Sequence, residues 1–253
     1  MRVRAYAKIN WSLRITGKRP DGFHELETLF QEISLHDELT FTPAASLSLT
    51  CDEPSIPVDD RNLVLRAAKL LGAPPVAIEL RKRIRAGGGL GGGSSDAAAT
   101  LVALNGMFGL QRDDLASLAL TLGSDVPFFL AGGRAYATGR GEVLTPVPSG
   151  DPVPLLLLLP EERVLTGEAF AMVRRYSPPA GPEAAWVNDF EEPVFAKLPR
   201  LRELKARLLD AGATFAAMSG SGSTLFGAFS DAASRDAAVP AFADVRVEAC
   251  ETR

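Results

Sequence analysis

The stretch Gly87, Gly88, Gly89, Leu90, Gly91, Gly92 and Gly93 places six glycines in seven positions, and Ser94, Ser95 and Asp96 close it. Glycine loses the most conformational freedom on folding and has no side chain to bury. Such a run is therefore tolerable mainly where a positive φ is needed or a ligand must approach the main chain. Upstream, Val76, Ile78, Leu80, Lys82 and Ile84 alternate as a strand would; downstream, residues 97–104 read as a helix. A strand, a glycine loop and a helix in that order bring loop amides and the positive end of a helix dipole to one spot. That arrangement suits a phosphate chain. No lysine follows the glycines, so the run is not the Gly-x-x-x-x-Gly-Lys-Ser/Thr loop, and a flexible linker stays open as an alternative on these residues alone.

Other groups able to do chemistry are scattered singly. Lys8 and Asn10 fall on one face of a strand running from Val3 to Ile15, whose odd positions are all apolar; they are expected to project away from the core. The turn Gly17 to Gly22 delivers Phe23 and His24 to a second strand reaching about Leu35, and His36 reads as surface in a following turn. Asp125 lies between the helix stop Gly123 and an apolar segment expected to be a strand. Ser219 to Thr224 is a second concentration of glycine and hydroxyls, longer and more polar than a hairpin requires.

The elements that must position these groups divide into two patterns. Through residue 150, strands and helices mix. Four prolines in residues 146–154 then mark a boundary, and the remainder reads as strand, helix, helix, strand, strand, helix, strand. Apart from one extra helix this is the split β-α-β-β-α-β order, with a single helix expected over 194–209. The fold class is α/β (α+β) with two domains, 1–150 and 151–253. Net charge of −4 without a basic cluster argues against nucleic acid, and no apolar run is long enough to span a bilayer. Cys51 and Cys250 are too few for a disulfide framework or a zinc site, so a reducing cytoplasm is the expected compartment, with a monomer or weak homodimer as the expected state.

Taken together, Ala7-Lys8-Ile9-Asn10, the Gly87 to Asp96 loop and Met218-Ser219-Gly220-Ser221-Gly222 resemble, in order and spacing, the three motifs of the GHMP kinase superfamily. Within it, Asp21-Gly22-Phe23-His24-Glu25-Leu26 and Leu122 to Phe128 are similar to the branch that phosphorylates a cytidylyl-linked polyol in isoprenoid precursor synthesis. The resemblance covers nearly the whole chain and is thinnest from Tyr176 to Pro199. It implies an N-terminal β/α ATP-binding domain, a C-terminal ferredoxin-like domain that binds substrate, ATP with Mg²⁺ as cofactors, and a small-molecule substrate. It implies further that Lys8 and Asp125 are the catalytic pair and that Arg85, Ala86 and Gly87 to Ser95 hold ATP. Asn62 and Lys82 would line the nucleotide pocket, Asn10 would orient the acceptor hydroxyl, and Phe23, His24, Thr166 and Phe170 would hold the cytosine. Phe23 stands where the family has tyrosine, Tyr6 and Arg85 where it has proline, and Trp11 where leucine is common. None of these removes a catalytic group. A kinase of another small alcohol would have no use for Phe23 with His24, and a nucleotide sensor without chemistry would be expected to lack Lys8 or Asp125.

Overall fold

The computed structural model describes all residues from Met1 to Arg253 and resolves into two compact units. The first comprises residues 1–7, 35–86 and 91–132; the second comprises 8–34, 87–90 and 133–253. The division does not fall at the proline-rich stretch, which lies inside the second unit. The physical reason is the length of two strands, β1 (Arg2–Lys18) and β2 (His24–Pro43), which run through both units. Prolines report where the chain turns; packing decides what belongs together.

In the first unit, β3 (Ser48–Cys51) pairs in parallel with β4 (Val76–Arg81), and β4 pairs antiparallel with the end of β2, from Glu38 opposite Arg81 to Pro43 opposite Val76. Leu39, Phe41, Ile78 and Leu80 present their apolar face to α1 (Leu63–Leu71) and α2 (Gly92–Met107). α2 is built mostly of small residues, so Ala97, Ala98, Leu101 and Leu104 pack closely where bulkier side chains would hold the helix away. α3 (Leu115–Leu122) ends at Gly123, as its glycine predicts. The apolar segment after Asp125 is a short helix, α4 (Val126–Ala131), with Pro127 in its first turn, and not the expected strand. Proline at that position is compatible with a helix start, because its missing N–H would have had no partner there.

In the second unit, β5 (Arg134–Thr138) pairs with the first half of β2, and β6 (Val143–Pro146) pairs with β5. The rest of the unit is a four-stranded antiparallel sheet of β7 (Pro154–Leu159), β8 (Phe215–Met218), β9 (Leu225–Ala228) and β10 (Arg246–Glu251), in the spatial order β10-β7-β9-β8. That order is the ferredoxin-like one expected from the element sequence. α5 spans Thr166–Met172, and the helix expected over 194–209 is two, α6 (Glu191–Lys197) and α7 (Pro199–Asp210). Pro199 cannot continue α6 and disfavours helical backbone at Leu198, yet suits the first turn of α7. α8 (Ala232–Ala238) starts at Asp231, whose carboxylate accepts from the Ser234 amide at 2.7 Å.

Candidate functional site

Three separate stretches of sequence close on one carbonyl. Lys8 Nζ donates to the Gly89 carbonyl at 2.9 Å, and Ser219 Oγ donates to the same oxygen at 2.9 Å. The Lys8 amide donates to Leu90 O at 3.0 Å and the Thr224 amide to Gly88 O at 3.3 Å, so the first half of the glycine loop is stitched to β1 and to the β8–β9 turn. Gly89 has φ +79°, and a Cβ placed there would sit 2.0 Å from Ser219 O. Only glycine permits that approach. Asn188, in the region where the resemblance is thinnest, holds the turn in place: its Nδ2 donates to Met218 O at 2.7 Å and to Gly220 O at 2.8 Å. No motif marks Asn188, whose place is set by a bridge to Leu13 of β1.

Lys8 and Asn10 are not solvated as the alternation of β1 suggested. They are 3% and 1% exposed, because β1 is covered on both faces from Ala7 to Trp11. A buried ammonium needs partners, and it has them. Besides the Gly89 carbonyl, Lys8 Nζ donates to Asn10 Oδ1 at 2.7 Å and lies 5.4 Å from the Phe30 ring centroid. Asn10 Nδ2 donates to Thr28 Oγ1 at 2.7 Å, and Thr28 in turn donates to Ser12 O at 2.7 Å. Asn10 thus fixes the direction of the Lys8 ammonium, and its Oδ1 keeps a second lone pair.

In the first unit the second half of the loop becomes helix sooner than predicted. α2 begins at Gly92, inside the glycine run, with Gly91 at φ +70° and the Ser95 amide donating to Gly91 O at 2.9 Å. A Cβ on Gly92 would lie 2.8 Å from Ile84 Cγ2, so β4 and its continuation press directly under the helix start. Beneath it, Lys82 Nζ donates to Asp96 at 2.8 Å and to Asp37, and its side chain is nearly all buried. Asp37 also accepts from the amides of Arg83 at 2.6 Å and Ile84 at 2.8 Å. Burial alone would lower Lys82, but the two carboxylates outweigh it and the net shift is upward. Burial pushes Asp96 up to about 7, with Lys82 opposing and Asp37 reinforcing the rise, and its Oδ1 has no hydrogen-bond partner. Two carboxylates sharing one buried ammonium leave negative charge uncompensated there, and burial tilts Asp96 towards its neutral form. Lys82 therefore supports the loop from below, and Asp37 sits in mid-strand of β2, not in a turn. His36 beside it is half-buried, its ring 5.2 Å from Tyr6.

Asn62 caps α1: its Oδ1 accepts from the Val64 amide at 2.9 Å and its Nδ2 donates to Pro57 O at 2.7 Å. Arg85 is half-buried, whereas Ala86 and Gly87 are exposed at the loop entry. Within α2, Gly93 is exposed, Ser94 half-buried and Ser95 buried. Asp125 occupies the N-cap position of α4, yet makes no side-chain capping bond. Its carboxylate is half-buried and is not spent on ending the helix.

The aromatic residues meet in the second unit, though in a different arrangement from the expected one. The His24 ring itself stacks on Phe170, with centroids 4.5 Å apart and planes at 13°, and Tyr176 lies 6.3 Å from His24. Phe23 is half-exposed, held by a turn in which Asp21 Oδ1 accepts the Phe23 amide at 3.1 Å, and the Arg140 guanidinium covers its ring at 4.3 Å. Burial, with Lys18 adding to it, lowers the His24 pKa, so the imidazole is neutral at pH 7 and offers one donor and one acceptor. Thr166 Oγ1 is 3.2 Å from Ser221 Oγ, which ties the start of α5 to the β8–β9 turn.

A loop of glycine main chain locked to a lysine strand and a Gly-Ser turn defines a class. The chain matches the family of GHMP kinases in both its N terminal domain, over residues 62–133, and its C terminal domain, over residues 182–245. A relative from Chlorobium luteolum, described as 4-diphosphocytidyl-2-C-methyl-D-erythritol kinase, is 42% identical over 91% of this chain and 89% of its own. One of the same description from Pelotomaculum thermopropionicum is 44% identical over 90% and 88%. A crystal structure of 4-(cytidine 5'-diphospho)-2C-methyl-D-erythritol kinase superposes with a TM-score of 0.88 at 39% identity, covering 100% of this chain and 99% of that one. The chain belongs to the 4-diphosphocytidyl-2-C-methyl-D-erythritol kinase family of GHMP kinases. It is accordingly an ATP-dependent small-molecule kinase. A Methanococcus jannaschii mevalonate kinase shares the fold alone, with a TM-score of 0.74 at 13% identity.

Proposed function

We propose that this chain transfers the γ-phosphoryl group of ATP to the 2-hydroxyl of 4-diphosphocytidyl-2-C-methyl-D-erythritol. The observation that carries the reading is the convergence of Lys8 and Ser219 on the Gly89 carbonyl, which locks the shape of a phosphate-binding loop. Phosphoryl transfer has a loose transition state, so alignment and charge stabilisation do most of the work. Main-chain amides from Gly87 to Ser95, together with the start of α2, hold the β- and γ-phosphates. Asp125 takes the proton of the acceptor hydroxyl, and Lys8, aimed by Asn10, offsets the charge that develops. Each role is assigned to its residue from that residue's own surroundings and its match to the family motif. In chain order, residues 1–150 carry the nucleotide and the chemistry, while 151–253 serve the substrate together with Phe23 and His24.

Neutral His24 fits the hydrogen-bonding edge of cytosine, which carries both an acceptor and a donor. For the base to stack on Phe170, the His24 ring must leave that face, and for it to stack on Phe23, Arg140 must move. Base stacking of that kind is worth about 1–3 kcal/mol. The donor set fits Mg²⁺: Ser94 offers a hydroxyl at the loop, and a hard cation that keeps several waters and phosphate oxygens needs no cage of protein carboxylates. Bound there, Mg²⁺ would neutralise phosphate charge. Two free cysteines fit a reducing compartment, and the expected state is a monomer or weak homodimer.

The test is ADP release with ATP and Mg²⁺, using 4-diphosphocytidyl-methylerythritol in one arm and methylerythritol phosphate in the other. Release that requires the cytidylyl group is expected. Equal release in both arms would remove the cytosine readout, and none in either, with ATP still bound, would remove the substrate assignment.

A further inference from the structure

The second unit holds a cavity of about 170 Å³ that none of the phosphate or cytosine residues lines. Its size is close to that of an engineered cavity of about 150 Å³ that accepts benzene. One wall is aromatic. Trp11 and Trp186 lie 4.7 Å apart between centroids, and Phe215 is 5.8 Å from the first and 5.3 Å from the second. Ser149 and Thr214 add hydroxyls to the lining.

Arg134, the first residue of β5, lines the same cavity, with its guanidinium 6.0 Å from the Trp186 centroid. Its Nε is buried and has no hydrogen-bond partner. Buried donors in folded proteins are nearly always satisfied, so the orphaned Nε marks a guanidinium that the protein has not fully paired, and an acceptor in the cavity would meet its terminal N–H groups and not the enclosed Nε. Burial lowers the Arg134 pKa, and Glu183 only partly restores it, which shows that the protein itself supplies incomplete compensation for this cation. A guanidinium presents its N–H groups as a planar fork that matches a carboxylate, and an indole wall beside it matches a flat apolar body.

We infer that this cavity is a second, non-nucleotide binding site for a small planar aromatic carboxylate, seated against Trp11 and Trp186 with its carboxylate on Arg134. The chain has 2 tryptophans, and both line the cavity, so intrinsic fluorescence reports on this site directly. The experiment titrates the full-length protein with benzoate, benzyl alcohol and inorganic phosphate, each with and without saturating ATP. Benzoate should quench saturably with a dissociation constant on the order of millimolar, as expected for so few atoms. Benzyl alcohol should bind at least tenfold more weakly, phosphate should not displace benzoate, and ATP should change nothing. Arg134→Met should weaken benzoate at least tenfold by ligand-observed NMR while leaving the far-UV spectrum and kinase turnover unchanged. If that variant does not fold, the benzoate and benzyl alcohol comparison on the wild type decides alone. Absence of saturation, equal binding of the alcohol, displacement by phosphate, or competition by ATP would each overturn the inference.

Discussion

Gly89→Ala tests the locked loop most directly. The new Cβ would start 2.0 Å from Ser219 O, whereas real Cβ contacts stay beyond about 3.0 Å, so main chain must separate from main chain by about 1 Å. Neither side can yield by rotating a side chain. Alanine at φ +79° adds roughly 1–2 kcal/mol of backbone strain. Separation also stretches the Ser219 bond to Gly89 O, worth about 0.5–1.5 kcal/mol, and the charge-assisted one from Lys8, worth about 1.5–3 kcal/mol. The total, about 3–6.5 kcal/mol, is a large part of a typical folding free energy of about 5–15 kcal/mol. The loop would therefore relax into another shape sooner than bear the strain. A displacement of about 1 Å at a phosphoryl-transfer site costs on the order of 100-fold in rate. Gly87→Ala is the control, since Gly87 also has positive φ, at +71°, but a Cβ there meets nothing within 4 Å. Steady-state ADP release should show a loss of at least 100-fold in kcat/KM for ATP in Gly89→Ala and under tenfold in Gly87→Ala, with melting curves read alongside. Equal effects in the two variants, or a Gly89→Ala enzyme within threefold of wild type, would refute the claim that the contact with the β8–β9 turn shapes the loop.

Three further outcomes follow from the site. Asp125→Asn should retain ATP binding in calorimetry and lose about 10²–10⁴-fold in kcat, the range of a general base; near-normal turnover would remove that role. His24→Ala should raise KM for the cytidylyl substrate with little change in kcat, and a lower kcat at constant KM would place His24 elsewhere. The pKa of Asp96 is raised on folding to about 7, from an unfolded value near 3.9, so its neutral form is favoured. The stabilising contribution is complete below pH ~4 and lost as pH rises through about 7. Wild type should thus lose more melting temperature between pH 5 and pH 7.5 than Asp96→Asn does, as read by thermal melts across pH, and parallel curves would show that Asp96 does not titrate there.

Much of this was legible in the sequence because the signals were local. A glycine run between a strand and a helix, a long first strand, and the ferredoxin-like strand order after residue 153 all survive in the structure, although one expected helix there is two. What failed was whatever depended on packing at a distance. Alternation in β1 put Lys8 and Asn10 on a wet face, since periodicity cannot tell that a second layer covers that face locally. Asp37 and His36 looked like a turn because charged residues are rare in mid-strand; burial against Lys82 is what makes Asp37 tolerable there. Asp96 closes the glycine motif with no sequence signal for its role, which its contact with Lys82 supplies. Asn188 carried no signal at all.

Specificity cannot reside in the fold. Mevalonate kinase and a homoserine kinase from Cytophaga hutchinsonii, at 13% and 18% identity, superpose over the full length of this chain with TM-scores of 0.74 and 0.64. A scaffold shared by chains of such different sequence does not by itself distinguish one acceptor from another. Discrimination must come from groups that touch the part of the substrate that differs. Under the proposed function Phe23, His24 and Phe170 would be those groups, set on the turn at Asp21 and on α5 in the second unit. Their present stacking, ring on ring and guanidinium on ring, shields apolar faces that a pyrimidine could cover instead. Exchange of one stack for another costs less than opening a dry cavity, because each face keeps a flat partner throughout. A substrate without a base would have to leave those stacks in place and forgo their contacts.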